Sequence, residues 1–319
     1  MTKKICLVTG CAGFIGSHLT QRLIDLGHFV VGVDNLFSGY VHNMEGFLDH
    51  PDFKFHEISI TEEDLLESLK EAYPDLDVIF QLAAIVSVPY SVEHPKLTMD
   101  VNFEAARKMF EASITLGISH FVFAGSAAEY GNEERLPVRE KYATDEVKHF
   151  SPYGASKYKF SSFLEKSGSG CSLRFFNIFG PRQDPTSQYS GVISRFIDFG
   201  LDGKNMVIFG DGTQSRDFLY VSDVVDSYLI AAGLDPLGRG PLTGIYNVGT
   251  GNGISILELA NTVSALTAAP LEFVFKPERV GDIKHSRADV SKISAAGFSP
   301  AVSFDDGLKK TIEWSRSCK

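Results

Sequence analysis

ICLVTGCAGFIGSHLTQRLIDLGHFVVGVD, residues 5–34, reads as a buried strand, a glycine turn, an amphipathic helix and a second buried strand. Ile5 to Thr9 is a nearly continuous apolar run, as expected for a strand covered on both faces. Gly10, Gly13 and Gly16 follow directly, and behind them Ile15, Leu19 and Leu23 recur at helical spacing. Glycines there permit a tight turn and close backbone approach, and the helix start attracts phosphate through its free N–H groups. The second strand ends on Asp34, at the distance where a ribose-binding acid belongs in such a unit. A carboxylate there accepts from both adenosine ribose hydroxyls and repels a 2′-phosphate. The following NLFSGY, residues 35–40, offers no arginine to hold one. The expected cofactor is therefore NAD, not NADP.

The same rhythm continues through TEEDLLESLKEAY (61–73), DVIFQLAA (77–84), EAARKMFEASITLG (104–117), HFVFAGS (120–126) and CSLRFFNIFG (171–180). Apolar strands separated by amphipathic helices predict an α/β fold with a doubly wound parallel sheet of Rossmann type. After Asn177 the rhythm breaks into shorter, Gly/Pro/Asp-punctuated elements, which predicts a second, smaller α/β domain. We expect a first domain of residues 1–177 plus roughly 214–250, and a second of roughly 178–213 and 251–319, partly interleaved with it.

At 319 residues, 44% hydrophobic and 22% charged, the chain reads as soluble and globular. Its formal net charge of −10 argues against a general nucleic-acid binder. No apolar run approaches a membrane span, and MTKKICLVTG enters a strand without a signal-peptide pattern, so a cytoplasmic protein without a membrane partner is expected. Cys6, Cys11, Cys171 and Cys318 are too sparse for a disulfide framework and form no Cys-x-x-Cys pair, so no structural metal is expected. DGT at 211–213 lacks the further acids of a calcium loop and reads as a turn.

SPYGASKYKF, residues 151–160, carries Tyr153 and Lys157 on one helix face. That spacing alone also fits a solvated helix. With Gly10-x-x-Gly13-x-x-Gly16, Asp34, QLAA (81–84), Asn102, GSAAEYG (125–131) and RFFNIFGPRQ (174–183), however, it resembles the extended short-chain dehydrogenase/reductases. Within them the chain is most similar to nucleotide-sugar epimerases of the UDP-glucose 4-epimerase type. The similarity extends into the second half through IFGDG, SRDFLYVSDV and RVGDIKHSRADVSK.

The resemblance implies that Ser126, Tyr153 and Lys157 are catalytic. Tyr153 would take the C4 hydroxyl proton, its phenolate favoured by the Lys157 ammonium and the nicotinamide ring. Ser126 would hydrogen-bond the reacting hydroxyl, and Lys157 would also grip the nicotinamide ribose. It further implies cofactor contacts from Phe14 and Ile15, from Asn35, from Glu57 and Ile58 near the adenine, from Leu82, Ala83 and Ala84, and from Asn102 and Phe176. Gln81 and Glu57 depart from the family's usual His and Asp.

Related dehydratases carry acids just after the catalytic hydroxyl, and related decarboxylases keep a Glu at the second position. Here those positions are Ala127 and Ala128, while Glu129, in an extended segment, would face away. The implied reaction is 4-epimerisation of a UDP-sugar: a 4-keto sugar forms, turns, and is reduced on its other face by the same bound NADH. Arg216 and Arg279 match diphosphate-binding arginines, Asn177 a ligand contact at the domain junction, Ile208 and Phe209 an apolar wall for uracil, and Asp282 a residue ordering ribose or arginine. Ser286 falls where some relatives place Tyr beside the sugar C2 substituent, so N-acetylated sugars are expected to fit beside UDP-Glc and UDP-Gal. Three alternatives stay open: an epimerase of UDP-glucuronate or a UDP-pentose, a net 4-ketosugar oxidoreductase, and a non-catalytic NAD-sensing module. A homodimer is implied, through the helix after Met99 and the helix of Tyr153.

Overall fold

The computed structural model describes residues 2–184, 191–268, 272–278 and 283–319. Strand β1 (Ile5–Thr9) passes through the glycine turn into helix α1 (Phe14–Asp25), and β2 (Phe29–Asp34) follows. Next come β3 (Phe53–Glu57), α2 (Leu65–Ala72) and β4 (Leu76–Gln81). A helical run holds α3 (Val88–Glu93), α4 (Pro95–Met99), a π-helical turn at Asp100–Ala105 and α5 (Ala106–Thr115). Then follow β5 (His120–Ser126), α6 (Pro152–Ser167), β6 (Cys171–Phe175), β7 (Asn177–Phe179), α7 (Val192–Leu201) and β8 (Met206–Phe209). The later chain adds β9 (Ser215–Arg216), β10 (Phe218–Tyr220), α8 (Val221–Ala232), β11 (Gly244–Val248), β12 (Ile254–Ser255) and α9 (Ile256–Thr267). It closes with β13 (Phe273–Lys276), β14 (His285–Ser286), α10 (Ser291–Ala295) and α11 (Phe304–Ser317).

Seven strands form one parallel sheet in the order β11-β6-β5-β4-β1-β2-β3. The chain winds outward from β1 in one direction and from β4 in the other, so the reversal falls between these two neighbours. In such sheets the reversal opens a crevice beyond the strands' C-terminal ends. Both faces are covered, as continuous apolar strands require. Cys6 and Val8 of β1 pack into one cluster with Leu19 and Leu23 of α1 and Val225 and Leu229 of α8. Leu7, between them, points to the other face, into a cluster with Leu66, Phe110 and Phe160 from α2, α5 and α6. This is the doubly wound α/β fold expected, with β3 as an unanticipated addition.

A third cluster gathers Phe179, Phe196, Ile208, Leu259, Val263 and Ile312 between α7, α9, α11 and the short strands. Those strands pair as β10 with β7, β13 with β8, and β9 with both β12 and β14. The chain then returns to the main sheet: Ile293 of α10 and Phe298 belong to the first cluster. Among the described residues no helix is long and apolar enough to cross a membrane. Cys6, Cys11 and Cys171 are buried free thiols, and Cys318 is exposed.

Candidate active site

A cleft of about 600 Å³ opens beyond the C-terminal ends of β1, β2, β4, β5 and β6, at the reversal point. The turn from β1 to α1 is packed to a density that only glycine meets. Gly10 has φ +74°, and a Cβ there would stand 2.9 Å from the Ala83 nitrogen. A Cβ on Gly16 would stand 2.0 Å from the Gly10 carbonyl oxygen. No side chain caps α1 at Gly13, so the helix start faces the cleft with its backbone donors. Asp34 is buried, and its two oxygens accept from Ala12 N at 3.0 Å and Leu36 N at 2.8 Å. Burial pushes its carboxyl up, and those two N–H groups pull it down. Its orientation is thereby set before any ligand arrives.

Phe14, Ile15, Asn35, Ile58, Leu82, Ala83, Ala84 and Phe176 line the cleft with the glycines. Two expected cofactor contacts do not. Glu57 ends β3 exposed, and the wall there is made by Ile58, Ser59, Ile60 and Thr61. Asn102 is buried behind the wall: its Oδ1 accepts from Ile85 N at 2.7 Å, and its Nδ2 donates to Ile85 O at 2.9 Å and Ser156 Oγ at 3.1 Å. With its polar atoms so engaged, it clamps the loop after β4 to α6. Gln81 acts similarly, accepting from Thr9 Oγ1 at 2.8 Å, while Thr9 Oγ1 accepts from Leu82 N and Ala83 N.

The opposite rim joins segments far apart in the chain. Tyr40 donates to Asp184 Oδ2 at 2.8 Å, joining the loop after β2 to the segment after β7. His18 Nε2 meets the Pro181 carbonyl at 2.9 Å, and burial lowers this imidazole's pKa to about 4, so the neutral ring donates. Arg182, with φ +67°, lines the cleft, and its buried Nη1 has no hydrogen-bond partner among the described residues. Backbone donors at the helix start and the Arg182 guanidinium suit a dinucleotide diphosphate, and the oriented Asp34 carboxylate suits the hydroxyls of its ribose.

Tyr153 lies in the first turn of α6, and the local sequence explains its position. Ser151 caps the helix by accepting from Gly154 N at 3.2 Å, and Pro152 occupies the first turn. Gly154 lets the helix press against the 3₁₀ turn at Ala127–Tyr130, where a Cβ would stand 2.6 Å from the Ala128 carbonyl oxygen. One turn on, buried Lys157 donates to Ala124 O at 2.8 Å, with its Nζ 5.9 Å from the Tyr153 ring centre. Ser126, Tyr153 and Lys157 all line the cleft. Burial lowers the Lys157 pKa to about 8, against the opposing pull of Glu129. Burial raises the Tyr153 phenol above its ordinary value, a Ser126 hydrogen bond pulls it back, and Glu129 adds to the rise. In the protein alone burial favours the phenol.

Glu129 is not in an extended segment. It sits in the 3₁₀ turn, fully buried and paired with Arg174 through Nε–Oε2 at 2.5 Å. Its other oxygen accepts from Ser126 N at 2.9 Å.

Of the expected sugar-nucleotide residues, Asn177 lines the cleft beside Ser126 and Tyr153. Ile208 does not belong to a ligand wall: it has no exposed surface and packs in the third core cluster. Alternation along β8 turns Ile208 inward and leaves Phe209 half-buried on the other face. Arg216 and Ser286 are register partners on β9 and β14 and are not among the residues that line the cleft. Arg279 and Asp282 lie outside the described residues. Asp217, unremarked in the sequence, ties this region together: buried, it accepts from Thr250 N, Thr250 Oγ1, Gly251 N and Ala288 N at 2.7–3.1 Å.

Residues 6–249 match the model of the NAD dependent epimerase/dehydratase family. A UDP-glucose 4-epimerase of Mycolicibacterium smegmatis is 37% identical over 98% of both chains. A UDP-glucose 4-epimerase of Thermotoga maritima, solved with UDP-glucose, superposes with a TM-score of 0.89 at 35% identity, over 98% of this chain and 99% of that one. A UDP-N-acetylglucosamine 4-epimerase of Methanobrevibacter ruminantium, solved with UDP-N-acetylmuramic acid, gives a TM-score of 0.90 at 34% identity over the whole of both chains.

Proposed function

Because this chain belongs to the NAD-dependent epimerase/dehydratase family, we propose that it interconverts the C4 epimers of a UDP-sugar: UDP-Glc/UDP-Gal and also UDP-GlcNAc/UDP-GalNAc. The observation that carries this reading is the fate of the acids around Ser126. Ala127 and Ala128 follow it, and Glu129 is turned from the cleft into Arg174. Beside the Ser126–Tyr153 pair this stretch supplies no second acid for eliminating water or steering a decarboxylation.

NAD, when bound, would supply a two-electron acceptor for C4 that returns the same electrons, so the sugar would pass through a 4-keto form. Tyr153, as the phenolate that the Lys157 ammonium and the nicotinamide charge would favour, takes the C4 hydroxyl proton and, as the phenol, later gives it back. Ser126, lining the cleft with Tyr153, holds the reacting oxygen and carries the proton across. Lys157 contributes a buried cation beside both. Asp34 holds the adenosine ribose, and the start of α1 with Arg182 holds the cofactor diphosphate. Arg216 and Arg279 grip the UDP diphosphate, with Asn177, Phe209, Asp282 and Ser286 around the ligand. The division into a cofactor part, 1–177 with roughly 214–250, and a nucleotide-sugar part, roughly 178–213 with 251–319, follows this assignment, α10 returning to the former. We propose a homodimer through α5 and α6, which sedimentation would test.

The deciding experiment gives the purified protein UDP-Glc, UDP-GlcNAc, UDP-GlcA and UDP-xylose separately, without added NAD, and identifies products by NMR. The 4-epimers of the first two are expected. A decarboxylated or dehydrated product, or turnover only with added NAD(H), overturns the reading.

A further inference from the structure

Glu129 is a fully buried carboxylate that the proposed chemistry leaves unused, yet three elements converge on it. Its Oε1 accepts from Ser126 N at 2.9 Å, at the end of β5, and from Ser161 Oγ of α6 at 3.0 Å. Its Oε2 accepts from Arg174 Nε of β6 at 2.5 Å. Arg174 is fixed in turn, its Nη1 donating to Tyr130 Oη at 3.2 Å and to Glu140 O at 2.9 Å. Ser161 also meets Ser172 at 2.8 Å. The strand end is shaped to admit the carboxylate: at Gly125 a Cβ would stand 2.9 Å from Glu129 Oε1.

We propose that Glu129, oriented by Arg174, is a positioning residue for the acid/base machinery, fixing the backbone of Ser126 and setting a buried negative charge behind Tyr153 and Lys157. This rests on the role given above to Ser126 and Tyr153. A misplacement of a catalytic group by about 1 Å can cost about a hundredfold in rate, so a clamp on the Ser126 backbone bears on the proton relay. The charge acts on the same groups. Glu129 raises the pKa of both the Tyr153 phenol and the Lys157 ammonium. The other titratable groups facing it are Arg174 on β6, Tyr130 in its own turn and His149 from the loop before α6, while Glu140 acts on Tyr130. Removing the negative charge therefore makes Tyr153 and Lys157 lose their protons at lower pH.

A lone Glu129→Gln would leave Arg174 buried without its counter-ion, a known route to misfolding. The test therefore uses Glu129→Gln and also the double variant Glu129→Gln/Arg174→Met, which removes the pair as a unit and keeps an amide oxygen for Ser126 N–H. The expected result in the folded, NAD-bearing double variant is a kcat–pH profile displaced to lower pH on both limbs. Optimal kcat should fall about tenfold with KM within about threefold. Without turnover, the Tyr153 phenolate is read by ultraviolet difference titration against the same variant carrying Tyr153→Phe, and it should titrate at lower pH than in the parent protein. A profile and a titration that stay where they were overturn the inference. Tyr153→Phe in the parent protein is run alongside: its loss of turnover with an unmoved Glu129 profile sinks this inference alone, while turnover surviving Tyr153→Phe sinks the reading of the site beneath it.

Discussion

Lys157 Nζ donates to the carbonyl oxygen of Ala124 at 2.8 Å from a position where the side chain is almost wholly buried. This ammonium is held away from water by one backbone dipole and the more distant charge of Glu129, and its pKa falls from 10.5 to about 8. The folded protein thus binds this proton more weakly than the unfolded chain. Between about pH 8 and 10.5 the unfolded state carries the extra proton, so this group's contribution makes stability rise with pH across that window. Below it the desolvation cost is fully present. Lys157→Met should accordingly stabilise the cofactor-free protein at pH 7 by about 1–3 kcal/mol. That advantage should shrink as pH rises through the window, while activity is abolished. Urea melts of both proteins at pH 7 and pH 10 check the sign, and an advantage that grows with pH contradicts it.

Gly154 sets the distance between the helix of Tyr153 and the turn after Ser126. A methyl group would meet the Ala128 carbonyl oxygen at 2.6 Å, a backbone atom that cannot swing aside. Gly154→Ala should cost about 1–3 kcal/mol of stability as overpacking. It should also lower kcat about a hundredfold by moving Tyr153 from Ser126, with bound NAD retained. Thermal melts and steady-state kinetics separate the two effects, and a variant stable and fully active would show that this contact yields freely.

Asp34 already spends one oxygen on Ala12 N and the other on Leu36 N, so a ribose finds an acceptor whose orientation costs nothing further. Asp34→Ala should weaken NAD binding by about ten- to a hundredfold, the loss of about 1.5–3 kcal/mol that charged hydrogen bonds provide. Calorimetry on cofactor-stripped protein measures it. Affinity unchanged within twofold would place the ribose elsewhere.

These residues were legible to different degrees for physical reasons. The glycine turn, Asp34 and the Tyr153–Lys157 pair could be read because each depends on local spacing within one strand–turn–helix unit or one helix. β3 escaped notice because at the sheet edge its FKFHE mixes buried and exposed positions and lacks the apolar run of the central strands. Glu129 was placed wrongly because a turn was read as a strand, and its partner Arg174 is 45 positions away in sequence. Asn102 and Ile208 were assigned to ligands by position, yet which way a side chain faces is decided by the neighbours it packs against. The Tyr40–Asp184 contact joins residues 144 apart, a separation at which no local pattern operates.

Ser286 carries the last prediction, on substrate size. It is a register partner of Arg216 on parallel strands, so both side chains leave the same face of the small sheet. If Arg216 holds the UDP diphosphate, Ser286 stands one strand over from that contact. The site is nearly closed, with 9% of Ser286 exposed, so a phenol ring placed there must project along that face or displace its neighbours. Ser286→Tyr should therefore lower kcat/KM for UDP-GlcNAc about a hundredfold, about 2.7 kcal/mol of transition-state binding, and leave UDP-Glc within about threefold. Parallel kinetics on the two sugars measure the ratio, with a thermal melt to show that the ring has not disrupted the fold. Equal losses on both would mean that Ser286 faces a part of the ligand the two sugars share, and the N-acetyl group would have to be accommodated from another wall.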